Sequence, residues 1–184
     1  MMATTHVFVG LVLVAPVAVA APDLATPLAV GAIVGGLLPD VDLVLTHRKT
    51  FHFPVLGAAG AVSAATLAAV APSPFTAGIA ACAASAWIHA ASDALGGGPE
   101  MDPWTNPSDR AVYDHARGRW IRPRRWIRYD GAPEDALLAS ALAVPAFVVF
   151  SGPIRTVVAV ALAVSLGYTL VRRRLVEWTP EWLE

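Results

Sequence analysis

Seven His and Asp side chains stand at spacings that could assemble a metal site. They are His6, Asp40 and Asp42 in "PDVD", His47 and His52 in "HRKTFH", and His89 and Asp93 in "HAASD". His89 and Asp93 are four apart, so a helix places them on one face within reach of one ion. Asp40 and Asp42 are two apart, and a regular α-helix would point them away from each other. Pro39 has no N–H to give the carbonyl of Gly35. With Gly35 and Gly36 beside it, the segment is expected to kink or unwind and let both carboxylates face inward. His47 and His52 are five apart, and a turn ahead of Pro54 could aim both rings at one place.

Mixed imidazole and carboxylate ligands suit a divalent metal, zinc first and then manganese or iron, better than an all-oxygen magnesium site. Seven groups exceed the needs of one tetrahedral zinc, so the set is read as holding one ion or two. Such a centre can activate water and hold the attacking and leaving oxygens of a phosphoester. Arg48 is the expected anion contact, and one aspartate left free, Asp42, would act as general base. Asp114 and His115 form a second tier. Taken singly, each His or Asp is explained as a helix cap or a solvated helix end. Ser92 lies between His89 and Asp93 but faces elsewhere on the helix and is not read as a nucleophile. No G-x-S-x-G elbow, P-loop or C-x-x-C pair occurs.

The elements that must position these groups are apolar. The chain of 184 residues, read as a single domain over 1–184, is 56% hydrophobic and 15% charged, against roughly 25% charged in ordinary soluble domains. Apolar runs cover about 6–21, 24–38, 53–71, 75–92, 136–150 and 154–171, several approaching the roughly 20 residues that cross a bilayer. The reading is an all-α polytopic membrane protein with about six transmembrane helices and one long loop over about 96–134. All seven candidates then fall at one depth, at the same ends of the helices. That side also carries twelve of the thirteen basic residues, all but Arg155, which makes it cytoplasmic by the positive-inside rule, with both termini there.

The 96–134 loop contains "AVYDHARGRWIRP", read as a short hairpin turning near Arg117-Gly118. Pro133, Glu134 and Asp135 fit a helix first turn. Trp178 and Trp182 suit an interfacial anchor. Cys82 is read as a packing residue in its apolar run. The N-terminal stretch lacks the basic n-region of a cleaved signal peptide. The near balance of 13 basic and 14 acidic residues excludes a nucleic-acid binder. The expected partners are the bilayer itself and an anionic lipid headgroup or phosphoester.

His6, then "PDVD", "HRKTFH" and "HAASD", between hydrophobic helices and in this order, resembles the YdjM-like membrane-bound metal-dependent hydrolases over residues 6 to 95. The resemblance implies a helical inner-membrane protein with metal-dependent hydrolase activity. It implies His6, Asp40, Asp42, His47, His52, His89 and Asp93 as ligands. A remote analogy to zinc-dependent phospholipases C favours phosphoester substrates. The rival classes are a metal carrier or sensor and a regulatory scaffold in which metal only ties helices together. A carrier should place ligands near mid-membrane, whereas the far half of every run lacks ionisable residues, apart from Arg155 at the outer end of the last.

Overall fold

The computed structural model describes residues 1–178. Six α-helices dominate: α1 (Ala3–Ala20), α2 (Ala25–Leu37), α3 (Leu56–Val70), α4 (Pro74–Ser92), α5 (Pro133–Val149) and α6 (Gly152–Val176). The six apolar runs of the sequence are thus six helices. Four stretches are long and apolar enough to cross a membrane: Ala3–Ala20, Pro22–Val44, Pro74–Leu95 and Gly152–Val176.

The bundle is organised around α1, which packs against α2, α4 and α5; α3 lies outside on α4, and α6 outside on α5. Phe8 and Leu11 of α1 are fully buried at its centre. The α2–α4 contact is made through small residues. A Cβ on Gly31 would collide with the Gly78 carbonyl, and one on Gly35 with the Cys82 carbonyl. Apolar surroundings give helices no hydrophobic reason to associate, so close backbone approach and hydrogen bonds such as Ser85 Oγ to the Ala32 carbonyl, 2.8 Å, take over. Cys82 is a free, half-buried packing residue. A capping box between Ser73 and Thr76 starts α4.

The break after α2 unwinds as expected. Leu38–Val44 forms a 3₁₀ segment with Pro39 in its first turn. A 3₁₀ helix turns about 120° per residue, so residues two apart point in different directions. Asp40 and Asp42 therefore serve two sides of one place.

The hairpin is also present, with β1 (Val112–Asp114) paired antiparallel to β2 (Arg119–Ile121) and Tyr113 opposite Trp120. Gly118, at φ 64°, supplies the left-handed residue of its turn. The hairpin grips the loop after the 3₁₀ segment: Tyr113 N–H donates to the Arg48 carbonyl at 2.9 Å, and His115 Nε2 meets the Lys49 carbonyl at 2.7 Å. Residues 124–127 donate backbone hydrogen bonds to residues 94–96, just past the end of α4. Trp178 is exposed beyond α6; Trp182 lies outside the described residues.

Candidate metal centre

Four stretches of chain meet at one end of the bundle. The first turn of α1 brings His6, the 3₁₀ segment Asp40 and Asp42, the following loop His47 and His52, and the end of α4 His89 and Asp93. His6, Asp42, His52, His89 and Asp93 are each at most 1% exposed.

Three imidazoles have Nδ1 committed. His89 Nδ1 lies 2.7 Å from the Gly36 carbonyl, which can only accept, so this nitrogen carries the proton. His52 Nδ1 lies 3.0 Å from Asp42 Oδ2, again an acceptor. His6 Nδ1 lies 3.3 Å from Ser92 Oγ, whose hydroxyl donates to the His89 carbonyl at 3.0 Å and so keeps a lone pair to accept. In each ring these partners assign the tautomer that leaves Nε2 with a bare lone pair.

Those three Nε2 atoms are buried without a hydrogen-bond partner, as is Asp93 Oδ1. They face carboxylates. His6 Nε2 is 3.2 Å from Asp93 Oδ1, and His52 Nε2 is 3.2 Å from Asp93 Oδ2 and 3.7 Å from Asp40 Oδ1. His89 Nε2 is 3.4 Å from Asp40 Oδ1 and 3.6 Å from Asp93 Oδ2. Bonds of about 2.0–2.2 Å put neighbouring ligand atoms on a zinc-sized ion roughly 3–4 Å apart, and these spacings fall in that range. Two groups of three, His6/His89/Asp93 and Asp40/His52/His89, could each hold a metal ion. Five electron-pair donors converge there, beside the N-terminal ammonium 3.6 Å from Asp93 Oδ1 and Arg48 Nε 3.9 Å from Asp93 Oδ2, and the donor set fits a divalent metal. Burial alone would push the His52 imidazole down, yet Asp93 and Asp42 outweigh it and raise its affinity for positive charge. The His6 and His89 rings stack with centroids 3.6 Å apart, which fixes their planes.

Asp42 and His47 stand one bond further out. Asp42 takes His47 Nδ1 at 2.8 Å on Oδ1 and, besides His52, the Phe51 N–H at 3.1 Å on Oδ2. With both oxygens engaged it orients two rings. Burial holds the His47 imidazole below its ordinary value despite that partner. Such outer partners fix ring orientation and raise ligand basicity. Arg48 adopts φ 57°, an uncommon left-handed backbone for a non-glycine. Its Nη1 donates to the Gly97 carbonyl at 2.6 Å, while its Nε, 3.9 Å from Asp93 Oδ2, has no hydrogen-bond partner.

Asp114 and His115 do not join the cluster. Asp114 accepts from the Ala116 and Arg117 amides and the Arg117 guanidinium within the hairpin turn, and His115 holds the Lys49 carbonyl. Sequence reasoning missed the roles of Gly36 and Gly97, and it set Ser92 aside as facing elsewhere on the helix, whereas Ser92 Oγ reaches His6 Nδ1 at 3.3 Å. Two of these act through carbonyls, which leave no trace in residue type. Ser92, three residues after His89, was the one with a readable spacing.

A cavity of about 410 Å³ adjoins the cluster, lined on that side by Asp40, His47, Arg48 and Asp93. No family model, curated protein or solved structure matches the chain.

Proposed function

We propose that this chain is a membrane-embedded, metal-dependent hydrolase of phosphoester or lipid-like substrates, akin to the YdjM-like family. In this reading its six helices cross the inner membrane, with both termini and the 96–134 segment on the cytoplasmic side. The observation that carries it is the convergence of three bare, buried Nε2 atoms on the Asp40 and Asp93 carboxylates.

His52, His89, Asp40 and Asp93 would hold the ion, with His6 on the other oxygen of Asp93. Zinc suits the mixed nitrogen and oxygen donors, with manganese or iron next. A divalent ion there supplies Lewis acidity and an activated water. Arg48 neutralises an anionic group at the inner end of the cavity. His47 lines the same cavity, with Nδ1 held by Asp42. With Nδ1 turned to the Asp42 carboxylate, its Nε2 carries the lone pair that can take a proton. Asp42 contributes to catalysis by aiming His47 and His52.

The open side favours an enzyme over a scaffold, because a structural site closes its ligand shell. Metal analysis of detergent-purified wild type, beside Asp40→Ala and His89→Ala, is the test, followed by a panel of soluble and lipid phosphoesters. Stoichiometric metal lost in both variants, with metal-dependent turnover in one arm, is the expected result. Wild type free of zinc, manganese and iron would overturn the site. Metal without turnover in any arm would replace the enzyme with a non-catalytic metal-binding membrane protein.

A further inference from the structure

The cavity beside the cluster has two unlike ends and an apolar waist. At the far end, Arg172 is bound to Asp130 Oδ1 and the Met101 carbonyl, each at 3.0 Å, and Tyr168 donates to Asp130. These groups satisfy one another and offer a ligand little. At the inner end Arg48 is 5% exposed and its Nε, 3.9 Å from Asp93 Oδ2, makes no hydrogen bond. That end has an unused donor for an anion.

Leu43 and Val164 both line the cavity, yet they are 63% and 56% exposed. A side chain that faces the cavity and the outside together stands at its mouth. Val164 lies eight residues before Arg172 in α6, about 12 Å along the axis at 1.5 Å per residue. Because α6 is long and apolar enough to cross a membrane, this rim reaches into its apolar length. Beside Leu43, the side chains of Val41, Val44 and Leu45 are exposed as well. A mouth built to admit solutes from water would not be rimmed this way. Its outer side matches hydrocarbon.

We infer that the cavity is a lateral portal for a membrane-borne anionic amphiphile. The phosphate head lies against Arg48 and the His/Asp cluster, and the hydrocarbon leaves between Leu43 and Val164 into the bilayer. The volume, near the small end of the roughly 300–1,000 Å³ of ligand pockets, suits the head alone. The inference rests on the hydrolase reading for what happens to the head, and on the geometry alone for binding.

The test uses the full chain, zinc-loaded, in liposomes doped with a phosphatidic-acid analogue bearing a diazirine near the glycerol. After illumination, labelled peptides are mapped. Label should concentrate around Leu43 and Val164. It should fall there about tenfold in Leu43→Trp and in Val164→Trp, which fill the mouth, and in Arg48→Gln, which removes the anion's partner. Val62 on α3, 66% exposed, reports insertion and folding through unchanged labelling in every variant. Label at the mouth no stronger than at Val62, or unmoved by the substitutions, overturns the portal. Soluble glycerol 3-phosphate that competes as well as unlabelled lipid also overturns it, in favour of a free phosphate site. Labelling needs no turnover, so a catalytically silent protein labelled at the mouth refutes the hydrolase reading alone. An active protein without that label refutes the portal alone.

Discussion

Two buried carboxylates, Asp93 and Asp135, sit within reach of the first residues of the chain and have opposite surroundings. Asp135 lies in the first turn of α5, where the positive end of the helix favours it. Its oxygens accept from Met2 N–H at 2.7 Å, Thr5 Oγ1 at 2.7 Å and Gly131 N–H at 3.1 Å. Asp93 lies just past the end of α4, where the dipole disfavours a negative charge. It faces imidazole lone pairs, the N-terminal ammonium at 3.6 Å and Arg48 Nε at 3.9 Å, and its Oδ1 has no hydrogen bond. Burial is the same for both; satisfaction differs. Asp135 ties α5 to α1, whereas Asp93 is left with capacity for something that is not protein.

One substitution made at both positions separates these roles. Asp93→Asn should lower zinc affinity by more than about 100-fold, since even outer partners cost about 10–100-fold. Competitive chelator titration in micelles checks this. Asp135→Asn should instead cost about 2–4 kcal/mol of stability, read by denaturant titration in micelles, because an amide nitrogen meets donors, with zinc affinity of the folded fraction unchanged. If the two variants behave alike, the distinction fails. Asp42→Asn tests the layer between them and should lower zinc affinity about 10–100-fold through loss of ring orientation.

Asp114, buried in the hairpin turn outside the helical bundle, carries the smallest effect. The Arg117 guanidinium holds its carboxyl below the ordinary value of 3.8. A depressed carboxyl stabilises the fold above its unfolded value and loses that contribution as pH falls through the folded one. Protection factors of the Ala116 and Arg117 amides should therefore fall as pH drops below 3.8, while Asp114→Asn at neutral pH leaves metal content unchanged. A loss of metal in that variant would show that the hairpin turn supports the cluster.

Much of this was legible in the residues. The six apolar runs are helices, the hairpin turns at Gly118, and Pro39 ends α2 in an unwound segment that carries Asp40 and Asp42. The gathering of the His and Asp side chains at one end followed from their positions at alternate helix ends. The division of labour among them did not. Which nitrogen of His89 is free depends on the Gly36 carbonyl, and the occupation of both Asp42 oxygens depends on four neighbours. Asp135 gave no hint of its partners, which are 130 and 133 residues away in the chain.

The contact of Gly31 and Gly35 with the carbonyls of Gly78 and Cys82 has a consequence for the ion. Asp40 hangs from the end of α2 and His89 from α4, and these two helices touch backbone to backbone. The gap between the two ligands is therefore gauged by peptide groups, which do not change rotamer. Flexible side chains at that seam would let the centre swell around a larger cation; bare glycines make it a caliper with a fixed jaw. Were an ion held there, discrimination by ionic radius would be written into two residues that never touch it.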